Sequence, residues 1–187
     1  MSQDELWELF PIILKEYNSE YRNWYDIEKG NILFNIKTED IVRINHIGSS
    51  AVEGLISKPT VDILLEVGGC CNITRLIGDL EIIGWGLMSR KSDPFKLSFC
   101  KGYTPEGLAE KVYHLHVAYL GNWDELYFRD FLITHPNVAN EYGIFKLQLL
   151  NDYKHNRDGY TEAKSDFVKK YAALAKQEFP DRYKPKQ

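Results

Sequence analysis

The sequence predicts an α+β fold, in which a small mixed β-sheet flanked by helices is followed by a helical C-terminal third. Strand-like runs lie early in the chain, at residues 41–47 and 60–67. Helical periodicity dominates after residue 124, with Pro136 and Gly159 as breaks. We expect a single domain over residues 1–187, with a sheet core at 12–120, a helical part at 121–176 and a tail at 177–187.

Local patterns predict each element in turn. Ser19 is the expected N-cap of a helix over residues 20–36. Apolar and polar residues alternate over 41–47, and Lys58-Pro59 forces an extended entry into the β-rich run 60–67. The remaining predicted elements are a short strand at 12–16, a helix from Asn72 to about Ile83, strands at 95–101 and 111–120, and helices at 124–134, 137–151 and 160–176.

Composition narrows the function classes. The chain has 187 residues, of which 44% are hydrophobic and 27% charged, so it can bury a core without metal or disulfide cross-links. The net charge of -4 argues against a general nucleic-acid-binding surface. Cys70, Cys71 and Cys100 form no CxxC motif, which favours free thiols and a cytoplasmic location. Met1–Glu5 does not resemble a signal peptide, and no apolar run is long enough to cross a membrane.

Asp62 is the most informative residue, because it interrupts a strand that is otherwise apolar. Alternation along the strand puts Asp62, Leu64 and Glu66 on one face. Asp62 and Glu66 are then about 13 Å apart, too far to share one metal ion unless the strand bends. Asp62 is therefore the candidate catalytic carboxylate and Glu66 its candidate partner. The alternative is that Asp62 caps a loop and Glu66 lies at the solvent end.

The turn before this strand suggests a ligand. Gly48, Ser49 and Ser50 end one strand and open a short helix, so their backbone N–H groups and hydroxyls can hold a phosphate. A phosphate at the turn and a divalent metal on Asp62 would suit phosphoryl chemistry. His46, just before the turn, can orient it, contact a ligand or pack in the core. A serine nucleophile at Ser49 or Ser50 is not favoured, because no Gly-x-Ser-x-Gly elbow is present.

A Gly-Ser turn followed by an acid-bearing strand resembles the nucleotidyltransferase superfamily. There the strand carries a second acid at the position of Leu64, so the departure puts a two-metal mechanism in question. The resemblance to one branch, the GrpB family, is closer and runs from about Tyr17 to Tyr171. It is carried by four blocks in order, NHIGSSAVEGLISKPTVDILLEV, YHLHVAY, FRDFLITHPNVANEY and YTEAKSDFV.

The resemblance to the GrpB family implies a nucleotidyltransferase-like fold. Leu64 is typical of that branch, whose strand also reads Asp-x-x-x-Glu, whereas Glu53 replaces a frequent proline. In some bacteria a domain of this family is fused to dephospho-coenzyme A kinase, which hints at nucleotide or coenzyme A metabolism.

Two histidines are candidate metal ligands. His114 and His116 point to the same side of a strand, about 7 Å apart. Together with Asp62 they would form a site for Zn²⁺ or Mn²⁺ more readily than for Mg²⁺ alone. The alternative is that they form hydrogen bonds across the sheet.

The cations expected to contact a phosphate come from several elements. Lys58, Arg129, Lys146 and Lys164 can form a polyphosphate clamp, and Tyr160 lies one helical turn from Lys164. Alternatively, each cation is solvated at the surface and Tyr160 packs in the core.

Three functions follow as hypotheses. The first is metal-assisted nucleotidyl transfer to an unknown acceptor. The second is a non-catalytic module that binds a nucleotide or another phosphate-bearing small molecule, which Leu64 favours. The third is a metal-dependent phosphohydrolase that uses His114 and His116. The acceptor and the oligomeric state do not follow from the sequence.

Overall fold

The structure, a computed structural model, describes residues 10–186. It contains a five-stranded sheet flanked by helices and a helical C-terminal part, which confirms the predicted α+β class. The strands are β1 Ile41–Ile47, β2 Val61–Val67, β3 Gly86–Ser92, β4 Phe95–Thr104 and β5 Gly107–Tyr119. The helices are α1 Glu20–Asn35, α2 Ile73–Ile82, α3 Asp124–Thr134, α4 Pro136–Tyr153, α5 Arg157–Ala163 and α6 Ser165–Glu178.

The sheet is mixed and has the strand order β1-β2-β5-β4-β3. Strand β2 pairs in parallel with β5, and the other three pairings are antiparallel. In this register Asp62 lies opposite His114 on one side and opposite Ile47 on the other. The pairing therefore brings together the acid, the His-x-His strand and the start of the Gly-Ser turn.

The two faces of the sheet are covered differently. Helices α1 and α2 cover one face, where Ile63, Leu65 and Val117 belong to the main core. Each such side chain contributes about 1.5–3 kcal/mol on burial. On the other face Leu64 packs with Leu126 of α3, below the helical C-terminal part. The candidate site lies on this second face.

Most predicted elements are present, and the differences have local causes. The helix predicted over 20–36 ends at Asn35, and Asn18 instead of Ser19 provides the side-chain oxygen that caps it. Asn72 caps α2 as expected, accepting from the backbone N–H of Arg75 at 3.0 Å. The strand predicted over 12–16 is reduced to a single bridge between Lys15 and Ser57.

Strand β3 was not predicted. All its residues are exposed, so its sequence lacks the alternation that marks a half-buried strand. Pairing with β4 defines it as an edge strand. The hairpin β4–β5 is also longer than predicted, since both strands continue to the turn between Thr104 and Gly107.

The C-terminal end differs from the expectation in two ways. The helix predicted over 160–176 is interrupted at Lys164, between α5 and α6. The tail is anchored through Tyr183, whose hydroxyl donates to Asp130 at 2.6 Å and whose ring lies near Arg43. These contacts of the half-buried Tyr183 hold the polar tail against α3 and β1.

The cysteines and the helices can be compared with the predictions made from composition. Cys70, Cys71 and Cys100 are free thiols. No helix in residues 10–186 has the length and apolar character needed to cross a membrane. The signal-peptide prediction concerns Met1–Glu5, which lies outside the described residues, and the cytoplasmic location stays a prediction.

Candidate functional site

A cavity of about 580 Å³ lies between the second face of the sheet and the helical C-terminal part. The sheet side contributes the Gly-Ser turn and the polar residues of β2, β4 and β5, while α4 and α5 contribute cations and tyrosines. Its lining includes Gly48, Ser49, Ser50, Lys58, Asp62, Tyr103, His114, His116, Tyr142, Lys146, Arg157, Tyr160 and Lys164. The structure thus brings together most of the residues predicted to form the site.

Gly48 lets the turn pass directly over Asp62. Its φ of 71° lies in the left-handed region, and a Cβ built on it would lie 2.6 Å from Oδ2 of Asp62. The following residues form a short 3₁₀ helix, Ser49–Ala51. The backbone of the turn and the carboxylate therefore form one continuous wall of the cavity.

His46 supports the turn from behind. Its Nε2 lies 3.1 Å from Oγ of Ser50, and its ring stacks on Tyr25 with centroids 4.9 Å apart. Burial lowers the pKa of His46 to about 4, so its imidazole is neutral at pH 7. The Ser50 hydroxyl is therefore occupied by this contact.

Asp62 is held by the histidines of β5. His114 Nδ1 lies 3.2 Å from Asp62 Oδ1, and His116 Nε2 lies 3.9 Å from the same oxygen. Burial acts to raise the pKa of Asp62, but hydrogen bonds and charge from the two histidines outweigh it and hold the pKa far below its usual value. The carboxylate is therefore ionised throughout the physiological range.

The contacts of His114 continue into a chain. Its Nε2 lies 2.8 Å from the hydroxyl of Tyr103, which in turn lies 2.9 Å from the Arg157 guanidinium. Sequence reasoning missed Tyr103 and Arg157. Tyr103 lies beyond the predicted end of its strand, and Arg157 lies outside the predicted helices, so no local pattern connects either residue to His114.

The three predicted metal ligands do not fit a shared metal site in this arrangement. Both ring nitrogens of His114 lie within hydrogen-bond distance of protein groups, Nδ1 of Asp62 and Nε2 of Tyr103. No group of three or more His, Cys, Asp or Glu side chains with metal-binding geometry is found in residues 10–186. The contacts match the alternative interpretation, in which the histidines form hydrogen bonds across the sheet.

Lys146 is the most deeply buried cation of the cavity, with 3% of its surface exposed. Its Nζ donates to Oγ of Ser49 at 2.9 Å and to the backbone carbonyl of Ile56, and it lies over the ring of Tyr142. Burial, followed by repulsion from Lys164 and Lys58, lowers its pKa to about 7. Roughly half of the Lys146 side chains are therefore charged at neutral pH.

Lys58 and Lys164 meet at one aromatic ring. Their Nζ atoms lie 5.8 and 4.3 Å from the ring centroid of Tyr160. Burial and repulsion from Lys58 lower the pKa of Lys164 to about 7, and burial also lowers that of Lys58. Within residues 10–186 neither these two lysines nor Lys146 forms a salt bridge.

Tyr160 adds an unused donor to this cluster. The residue is 1% exposed, and its hydroxyl has no hydrogen-bond partner within residues 10–186. A buried hydroxyl without a partner costs about 1–3 kcal/mol. Among the described residues, the cavity thus contains lysines without a salt bridge next to a hydroxyl without a hydrogen-bond partner.

Glu66 does not reach the cavity, contrary to its predicted role beside Asp62. It is fully buried and forms a two-point ion pair with Arg43, with Arg43 Nη2 at 2.6 Å from Oε1. The backbone N–H of Gly121 donates to the same oxygen at 3.1 Å. Strand alternation placed Glu66 on the correct face, but that end of β2 is covered by protein.

Arg129 also lies outside the cavity lining. Its guanidinium pairs with Asp130 at 2.7 Å and donates to the carbonyl of His46 at 2.9 Å and to the hydroxyl of Tyr183 at 2.7 Å. These contacts link α3 to β1 and the tail. Arg129 therefore supports the turn that bears Gly48 from outside the cavity.

The sequence matches a known protein family. A family model described as "GrpB protein" matches residues 11–173. This chain belongs to the GrpB family. The glutamate-rich protein GrpB of Alkalihalophilus pseudofirmus is 32% identical over 161 residues, which cover 84% of this chain and 91% of that protein. The predicted family membership is thereby confirmed.

Two further comparisons show how much of the chain is similar to other proteins. The UPF0157 protein PA4798 of Pseudomonas aeruginosa is 36% identical over 126 residues, which cover 67% of this chain and 52% of that protein. This chain therefore spans about half the length of that relative. The crystal structure of the conserved protein GrpB from Enterococcus faecalis superposes with a TM-score of 0.77 at 26% identity, covering 89% of this chain and 99% of that one. None of these names states a reaction or a ligand.

Proposed function

We propose that the cavity binds a phosphate-bearing small molecule, with nucleotides as the first class to test. The observation that carries this proposal is the convergence of Lys58, Lys146 and Lys164 in one cavity without a salt bridge to any described residue. Buried ammonium groups without a salt bridge are costly, because each loses hydration that it does not fully recover. A phosphate adds negative charge beside them and accepts hydrogen bonds from several elements at once.

The remaining donors complete the proposed subsite. The Ser49 hydroxyl already lies 2.9 Å from Lys146 Nζ, so an oxyanion held by that lysine would be within reach of the turn. The Tyr160 hydroxyl, which lacks a partner, would gain one. Lys58 and Lys164 would neutralise charge from the side of Tyr160. The Gly48–Ser50 turn, the lysines and Tyr160 therefore act as one anion site.

Nucleotidyl transfer is the second candidate, and one observation favours it over simple binding. An ionised carboxylate, Asp62, lies in the same cavity as the cations, where a site built only to bind anions would omit it. The Gly48-Ser49 turn followed by Asp62 on the next strand also supports our inference of a nucleotidyltransferase-like fold. The phosphohydrolase hypothesis, which uses His114 and His116 as metal ligands, stays a prediction.

A thermal-shift panel tests this proposal directly. ATP, GTP, CTP, UTP, coenzyme A and pyrophosphate are each added to the wild-type protein, with and without Mg²⁺, Mn²⁺ or Zn²⁺. A ligand at about 100 times its dissociation constant should add about 2.7 kcal/mol of stability. Release of pyrophosphate from a stabilising nucleotide and an added acceptor would indicate transfer.

Lys164→Met is the matched test variant, and Lys91→Met, which changes an exposed lysine on β3, is its control. We expect the control to retain the shift of the wild type and Lys164→Met to lose it. Equal shifts in all three proteins, or no shift with any phosphate compound, would contradict the proposal.

A further inference from the structure

The hydrogen bonds around His114 have a defined direction. The Arg157 guanidinium only donates, so the Tyr103 oxygen accepts from it at 2.9 Å. The Tyr103 O–H is then free to donate to His114 Nε2 at 2.8 Å. His114 Nδ1–H in turn donates to Asp62 Oδ1 at 3.2 Å. With this direction, the chain runs from the guanidinium to the carboxylate and corresponds to the Nδ1–H tautomer of His114.

This direction determines what Asp62 can still do. Oδ1 receives His114 and has His116 nearby, while Oδ2 faces the backbone of Gly48 at the turn. The side chain is 30% exposed, so part of the carboxylate remains accessible from the cavity. Glu66 is sequestered with Arg43, and no group of three or more His, Cys, Asp or Glu side chains with metal-binding geometry is found in residues 10–186. An oriented carboxylate of this kind is suited to accept a hydrogen bond from the ligand.

The surrounding charges indicate which donor fits. Lys58, Lys146 and Lys164 all interact electrostatically with Asp62. A ligand ammonium group at Asp62 would be repelled by three lysines, whereas a hydroxyl adds no charge and still donates. The cavity therefore favours an anionic ligand that presents a neutral donor to Asp62.

We propose that Asp62 acts without a metal as the acceptor for a ligand hydroxyl, with Arg157, Tyr103 and His114 as positioning residues. The ligand class is a phosphate ester with a hydroxyl on the carbon skeleton near the phosphate, as in a phosphorylated sugar or the ribose of a nucleotide. This inference rests on the proposed phosphate site. In a transfer reaction the same hydroxyl would be the acceptor that Asp62 orients.

Matched pairs of probes test the inference by calorimetry. Ribose 5-phosphate is compared with its 2,3-dideoxy analogue, and AMP with 2′,3′-dideoxy-AMP; pyrophosphate is the reference anion. We expect the wild type to bind each hydroxyl-bearing probe roughly tenfold more tightly than its deoxy partner, as for a hydrogen bond to a charged group. In Asp62→Asn this preference should be lost while pyrophosphate still binds.

The positioning residues need a readout of their own. The ¹⁵N NMR spectrum of His114 should show a protonated Nδ1 and an unprotonated Nε2 in the wild type. Tyr103→Phe should change that pattern and reduce the hydroxyl preference. An Nε2-protonated His114 in the wild type would overturn the proposed relay.

The outcomes separate the two proposals. If no protein binds pyrophosphate, the phosphate site itself is wrong. If pyrophosphate binds but the probe pairs bind equally, only the role of Asp62 is wrong. Stoichiometric binding of Mn²⁺ or Zn²⁺ that disappears in Asp62→Asn would also overturn the metal-free assignment.

Discussion

Asp62 and Glu66 lie four residues apart on β2, yet they occupy opposite kinds of environment. The Glu66 side chain is 0% exposed, and Arg43 and the Gly121 N–H satisfy it. The Asp62 side chain is 30% exposed and lies among lysines that form no salt bridge within residues 10–186. At the Glu66 end the carboxylate is neutralised by its ion pair, and this contact stabilises the fold. At the Asp62 end, three lysines that form no salt bridge in residues 10–186 line one cavity, which is a reason to expect a ligand.

The largest expected effect comes from breaking the complete pair. Glu66→Gln should lower the free energy of unfolding by about 3 kcal/mol, because it leaves the partly buried Arg43 without its counter-charge. Pyrophosphate affinity should not change, since Glu66 does not line the cavity. Urea unfolding and calorimetry measure the two quantities. A loss of affinity with no loss of stability would show that the roles of the two acids are reversed.

The sequence predicted correctly which side chains share this face of the sheet, but it did not predict which of them are covered by protein. Alternation correctly put His114 and His116 on one side of their strand, because period-2 geometry depends only on the strand. The pairing of β2 with β5 then brings Asp62 opposite His114. It gave Glu66 the same role because it contains no information about what covers each end of β2. Tyr103 and Arg157 reach His114 through the extended β4–β5 hairpin and a helix start, and no local pattern encodes those contacts.

The lysines were predicted more completely than the acids. Lys58, Lys146 and Lys164 were expected to converge, and they line one cavity. Arg129 was grouped with them because it lies within a family block, but its guanidinium is committed to Asp130. A motif identifies which residues matter and leaves open whether they contact a ligand or support the residues that do.

The pH dependence of stability should distinguish the Asp62 end of β2 from the Glu66 end. Lys146 and Lys164 have pKa values of about 7 in the folded protein, lowered from 10.5. Between these values the unfolded chain binds more protons, so the free energy of unfolding rises with pH. We expect a gain of about 2 kcal/mol for each of these two lysines from pH 7 to pH 9 without ligand, measured by urea unfolding.

The corresponding control removes both titrating groups. Lys146→Met combined with Lys164→Met should flatten this part of the profile, whereas Glu66→Gln should leave its slope unchanged. Pyrophosphate affinity of the wild type should fall over the same range, because the lysines lose their charge. An affinity that rises with pH would contradict the assignment.

A smaller effect is expected at Tyr160. Tyr160→Phe removes a buried hydroxyl that has no partner in residues 10–186, so the ligand-free protein should gain up to about 1 kcal/mol of stability. Pyrophosphate should bind more weakly, since the proposed site loses one donor. Thermal unfolding with and without pyrophosphate measures both changes. Tyr142→Phe is the comparison variant on the same wall of the cavity.

The most direct test of the central claim is a calorimetric titration of pyrophosphate into wild type, Lys146→Met and Lys91→Met at pH 7, with ligand-free melts of the same proteins. We expect binding in the wild type and in Lys91→Met, and none in Lys146→Met. We also expect Lys146→Met to unfold at a higher temperature than the wild type, by a stability gain on the order of 1 kcal/mol. Equal binding in all three proteins, or loss of stability in Lys146→Met without loss of binding, would contradict the claim that this cation is held for a phosphate.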